Sequence, residues 1–241
     1  MMFYIGCSGY FYWGWKGKFY PPEIKPSNWF DYYSDFFNTV EINSTFYNFP
    51  KEKNLKNWYR KAPENFIFSV KVHRSITHLK KFKDTKDTLD EFYSVVKNSL
   101  KEKLGAVLFQ LPPSFRYSDE NLRIIIDQLD PDFINVVEFR EKSWWNDNVY
   151  DTLDNHNIIF CSVSAPGLPD DIIKTGNGIY IRFHGVDSWY RYDYSDDQLE
   201  SWAKRILEIK ADKNFIYFNN DFNAYAPKNA LKLKELIDKY K

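Results

Sequence analysis

The chain has 241 residues, 44% of them hydrophobic and 20% aromatic, with 33 Lys and Arg against 33 Asp and Glu. That length holds one large domain or two small ones, and the apolar share is enough for a sizeable core. The zero charge balance excludes a global field that would hold a polyanion or an anionic membrane, although a local basic patch stays open.

Short apolar runs at 3–8, 39–43, 66–71, 106–110, 135–139, 158–162, 178–183 and 214–218 predict eight strands. Most are apolar on both faces, as in a parallel sheet covered on both sides. Cys7 and Cys161 sit inside such runs and read as buried thiols rather than a disulfide framework, with no metal-type spacing. The first strand begins almost at once, and no run approaches the ~18 apolar residues of a membrane span. A cytoplasmic protein with no membrane partner is therefore expected.

Helical patterns lie between the strands. Ser27 can cap a segment to Phe37, and 55–61 stops before Pro63. Leu89, Phe92, Val96 and Leu100 form one apolar stripe over 87–100. Ser118 opens the next helix, Ser195 with Gln198 is a capping-box pattern, and Pro227 suits the first position of the last helix. Between the sixth and seventh strands only 170–174 offers about one turn.

This order predicts an α/β fold, a single (β/α)8 TIM-type barrel domain over 1–241, with one shortened unit near residues 165–176. An open doubly wound sheet is the alternative. It usually brings a Gly-rich phosphate turn, and the spacing of Gly6, Gly9 and Gly14 does not match that fingerprint.

A barrel of this type carries its site at the strand ends. Those ends hold Gly6 and Ser8, Glu41 and Asn43, Lys71 and His73, Gln110, Glu138 and Arg140, Ser162 and Ser164, Arg182 and His184, and Asn219 with Asn220. Several pairs are two apart and share a face. Lys71, Arg140 and Arg182 outnumber Glu41 and Glu138, so a cationic mouth that binds an anion is expected. Internal pairing of Glu41 with Lys71, and of Glu138 with Arg140 or Arg182, is the structural alternative. Glu41, Glu138 and His184 are the candidates for acid–base chemistry. They lack diagnostic metal spacing, so no metal is expected, and no organic cofactor motif is present. Rings in the loops, among them Tyr10, Tyr12, Trp13, Trp15, Phe46, Tyr47, Trp144, Trp145, Trp189 and Tyr190, either stack on a ligand or fasten their loops.

Several motifs then add together: Gly6-Cys7-Ser8-Gly9-Tyr10, Val40-Glu41-Ile42-Asn43-Ser44-Thr45-Phe46-Tyr47, Lys71 with Ile76-Thr77-His78, and Leu108-Phe109-Gln110-Leu111-Pro112-Pro113. Val137-Glu138-Phe139-Arg140 with Ser143-Trp144, Arg182-Phe183-His184-Gly185 and Tyr217-Phe218-Asn219-Asn220 continue the series. In this order, end to end, the chain resembles the YecE-like family, the domain of unknown function numbered seventy-two. The resemblance implies a TIM-type barrel with no settled activity. It also implies motif positions at Glu41, Asn43, Thr45, Tyr47, Lys71, His78, Gln110, Glu138, Arg140, Arg182, His184 and Asn219; Ser8 and Trp144 join them as ligand-binding candidates. The chain departs from the family pattern at Ala224, where a glycine is expected, and at Ser164, where an acidic residue is common.

The functional expectation is acid–base chemistry on a phosphorylated or otherwise anionic small molecule, a sugar or nucleotide, at the C-terminal barrel mouth. The alternatives are a nucleic-acid-binding protein or phosphodiesterase, and a non-catalytic binding scaffold.

Overall fold

Eight parallel strands close into a barrel in the order β1 to β8, in a computed structural model that describes residues 1–241. They are β1 Met2–Cys7, β2 Thr39–Ile42, β3 Ile67–Lys71, β4 Leu104–Gln110, β5 Ile134–Glu138, β6 Ile159–Ser164, β7 Gly178–Phe183 and β8 Lys213–Phe218. Each falls on a run expected from the sequence. The TIM-type α/β expectation holds, and the doubly wound alternative fails because β8 pairs with β1 along its length, from Met2↔Lys213 to Cys7↔Phe218. A closed sheet has no edge to protect.

Contacts divide the chain into two compact units. The first comprises Met1–Glu41, Ser162–Lys174 and Gly178–Lys241; the second comprises Ile42–Cys161 and Thr175–Asn177.

In the first unit α1 (Trp29–Phe36), α7 (Asp196–Ile209) and α8 (Tyr225–Tyr240) accompany β1, β7 and β8. The capping box at Ser195 and Gln198 forms as expected. Pro227 falls on the third rather than the first position of α8, still within the turn whose amides have no intrahelical partner. Rings of the β1–α1 loop fasten it down: Trp15, Tyr20 and Trp29 are buried, and Tyr20 stacks on Trp29 at 4.8 Å with the planes 3° apart. No helix forms between β6 and β7 in either unit. Ile173 instead donates its amide to Ser162 Oγ at 2.8 Å, a side-chain bond that replaces the expected turn.

The second unit holds α2 (Ser44–Tyr47), α3 (Glu52–Lys61), α4 (Lys86–Leu100), α5 (Asp119–Ile126) and α6 (Asp147–Asn155). The stripe Leu89, Phe92, Val96 and Leu100 of α4 is buried as its spacing demands. Helix α6 was not legible from periodicity, because only Val149 and Leu153 of its residues are buried. Its start is set by Asn146, whose side chain accepts the Val149 amide. Between β3 and α4 the segment Ser75–Leu79 winds as a π-helix, a form that recurs at functional sites.

Both cysteines are buried and neither is in a disulfide. No helix is long and apolar enough to cross a membrane.

Candidate functional site

In the first unit, register and alternation gather one set of polar residues. Gly6 pairs with Tyr217, Arg182 also pairs with Tyr217, and Cys7 pairs with Val40. Since side chains alternate along a strand, Ser8, Glu41, Tyr180, Arg182, His184, Tyr217 and Asn219 lie on one face. Glu41 accepts from Tyr180 Oη at 2.6 Å and from Arg182 Nη2 at 2.7 Å. Arg182 is 1% exposed. Burial first, and the Glu41 charge second, push the Tyr180 hydroxyl up, so it remains a donor. A guanidinium cannot shed its charge on burial, and Glu41 supplies the required partner. Within the first unit these are the bonds that the Glu41 carboxylate makes.

His184 is buried, with Trp189 and Tyr190 at 5.5 and 5.8 Å from its ring. Asn219 Nδ2 lies 3.1 Å from its Nδ1. An amide donating there leaves the imidazole proton on Nε2. Ser164, at the departure from the family pattern, accepts from Tyr194 Oη at 2.7 Å and carries no charge to complement a cation. Ala224 has φ +61°, the left-handed region that explains why glycine is the expected residue there.

The second unit builds a different cluster. Lys71 Nζ donates to Gln110 Oε1 at 2.9 Å and stands 4.0 Å over the Phe46 ring. Gln110 pairs with Glu138 in the β4–β5 ladder, and Arg140 Nε donates to Glu138 Oε1, the local pairing that their spacing allowed. Phe46 meets the His78 ring edge-on at 4.8 Å. Burial, then the charges of Lys71 and Arg140, hold the His78 imidazole down at about 4, with Glu138 opposing. His78 is thus neutral near pH 7 and surrounded by more positive than negative charge.

Other candidates in this unit are architectural. Thr45 Oγ1 donates toward Ile42 O at 3.1 Å and Lys71 O at 2.7 Å, fixing the start of α2. Trp144 is stacked between Phe139 at 4.0 Å and Phe115 at 5.8 Å, and its Nε1 donates to Phe115 O at 2.7 Å. Such a ring has no face left for a ligand, a correction to its expected role. Tyr47 is 63% exposed. Asn43 Oδ1 is buried without a partner.

With this geometry in place, the family described as "Protein of unknown function DUF72" matches residues 4–241. The chain belongs to the DUF72 family. It is 29% identical to the UPF0759 protein YunF of Bacillus subtilis over 98% of this chain and 95% of that protein. To the UPF0759 protein YecE of Escherichia coli it is 28% identical over 47% of this chain and 42% of that one. A solved DUF72 family protein from Thermotoga maritima superposes with a TM-score of 0.91 at 31% identity, covering 99% of this chain and all of its own. Another from Enterococcus faecalis shares the fold with a TM-score of 0.82 at 20% identity, over 98% and 96% of the two chains.

Within this DUF72 barrel one strand-end carboxylate escaped the sequence reading. Asp221 follows Asn219 and Asn220 after β8. Its backbone carbonyl accepts Trp15 Nε1 at 2.8 Å, and burial raises its carboxyl above the ordinary aspartate range. The signal in the sequence is the run of three polar residues, Asn219-Asn220-Asp221, that follows β8. No three His, Cys, Asp or Glu side chains gather into a metal-binding group.

Proposed function

We propose that the protein binds an anionic small molecule, phosphorylated or carboxylated, at the Lys71, Arg140 and His78 cluster of the second unit, and acts on it by acid–base chemistry. The observation that carries this reading is the composition of the cluster: a lysine, an arginine and a neutral imidazole grouped with the carboxylate of Glu138. Lys71 presents a point charge with three donors, and Arg140 a planar fork suited to a phosphate or carboxylate edge. An arriving anion reverses the local field and raises the affinity of His78 for a proton. The imidazole then becomes able to exchange protons near neutral pH. Glu138 orients Arg140. Separately, within the first unit, His184 keeps its proton on Nε2 and Glu41 anchors Arg182.

Inorganic phosphate is the probe. A saturable rise in melting temperature of roughly 3–6 °C is expected at ten times Kd. Lys71→Met and Arg140→Met should each remove it while leaving folded protein. A wild-type melting temperature that ignores phosphate and sulfate up to high millimolar concentration sinks the reading.

A further inference from the structure

Two polar groups at the β1 and β8 ends of the first unit are poorly satisfied by the fold. Ser8 is 1% exposed, and its Oγ makes no hydrogen bond. A hydroxyl removed from water without a partner costs free energy that the native state must recover elsewhere. The carboxylate of Asp221 is partly buried, and the one hydrogen bond it accepts comes from its own backbone amide.

A chain of backbone and ring contacts links the surroundings of these two residues. Ser8 donates its amide to Phe218 O at 2.8 Å, extending the β1–β8 ladder toward Asp221. Tyr12 then ties the two ends together. Its hydroxyl donates to Ser8 O at 2.6 Å, and its ring packs on Trp15 at 4.8 Å. Trp15 in turn holds the Asp221 carbonyl. Consistent with this closeness, burial first and the Asp221 charge second push the Tyr12 hydroxyl up. The backbone of Asp221 is therefore fixed against the β1–α1 loop.

We propose that Ser8 and Asp221 form a hydroxyl-binding subsite that takes a neutral sugar or polyol group. A vicinal diol both donates and accepts. It can give its protons to Asp221 and exchange a hydrogen bond with Ser8 Oγ, satisfying both groups at once. A ring-lined loop suits the apolar face of a sugar, and this loop carries Trp13, 65% exposed, next to Tyr12. The subsite lies wholly within the first unit and does not depend on the cationic cluster of the second.

D-ribose, D-glucose and glycerol serve as probes on the full-length chain, by calorimetry or saturation-transfer NMR. Wild type should bind at least one of them saturably. Asp221→Ala should weaken that binding roughly tenfold or more, and Ser8→Ala roughly threefold to tenfold, the scale of charged and neutral hydrogen bonds. Ser8→Ala should melt at or above the wild-type temperature, because the hydroxyl removed makes no native bond, and Asp221→Ala should melt close to it, because the carboxylate removed bonds only its own amide. Lys71→Met should leave sugar affinity unchanged while abolishing the phosphate response, so the two sites succeed or fail separately. Absence of saturable binding by all three probes overturns the subsite. So does a pair of variants that melt lower but bind as wild type does.

Discussion

Glu41 and Glu138 are both fully buried glutamates at strand ends, each bonded to an arginine, yet their settings differ. The Arg182 side chain that holds Glu41 is 1% exposed, and Tyr180 gives the same carboxylate a second buried bond. The Arg140 side chain that holds Glu138 is 10% exposed, and half-buried His78 feels its charge. One pair is sealed; the other touches solvent. A sealed ion pair has already replaced water with protein and offers a ligand little, whereas a pair at the water boundary can trade a partner for a ligand at modest cost. The anion chemistry is accordingly sought at Arg140 and Lys71, and Arg182 is read as an internal counter-ion.

Removing each arginine is the sharpest test of that difference. Arg182→Met leaves Glu41 charged and buried, and should cost ~3–5 kcal/mol of unfolding free energy. Arg140→Met should cost only ~1–2 kcal/mol, since Glu138 keeps other interactions and its arginine reaches water. Denaturant melts of the two variants compare them directly. Equal costs would break the distinction between sealed and open pairs.

The second test uses pH, and it bears on the open cluster alone. His78 sits at about 4 in the fold against 6.5 ordinarily, so between those values the unfolded chain holds the extra proton. Stability should therefore rise with pH across this window and be lost as pH falls through it. Half exposure limits the effect to ~1–2 kcal/mol. His78→Gln should flatten the stability profile between pH 4 and pH 6.5, and saturating phosphate should shift the wild-type inflection upward. A profile that His78→Gln leaves unchanged would show that the imidazole does not sense Lys71 and Arg140.

The smallest effect concerns the loop after β8 in the first unit. Ala224 holds φ +61°, a conformation that costs an L-residue ~1 kcal/mol and costs glycine little. Ala224→Gly should therefore stabilise by ~0.5–1 kcal/mol, less the burial of one methyl group. A loss of stability in the same melt would mean that the buried methyl outweighs the strain.

Period-two alternation, apolar runs and turn residues are properties of neighbouring residues, and they made eight strands and their order legible without any coordinates. The same locality made Arg140 readable as a partner of Glu138, two residues away on a shared face. It also made Lys71, Gln110, Arg182 and His184 visible as polar residues closing apolar runs. Partner choice over long separations was not legible. Glu41 and Arg182 are 141 residues apart, and only the closed ring decides that this carboxylate meets that guanidinium. Burial was equally hidden: nothing local tells Trp144, stacked into the core, from Trp13, left in solvent, since both are loop tryptophans beside polar residues. Asp221 is the same kind of case, for a carboxylate after a strand is ordinary until the fold removes part of its water and leaves it only its own amide. Sequence thus determined the elements and which side chains end them, because those follow from nearest-neighbour backbone geometry. Tertiary structure alone decided which charges are neutralised and which are left for a ligand, because desolvation and pairing depend on residues brought together by closure of the barrel.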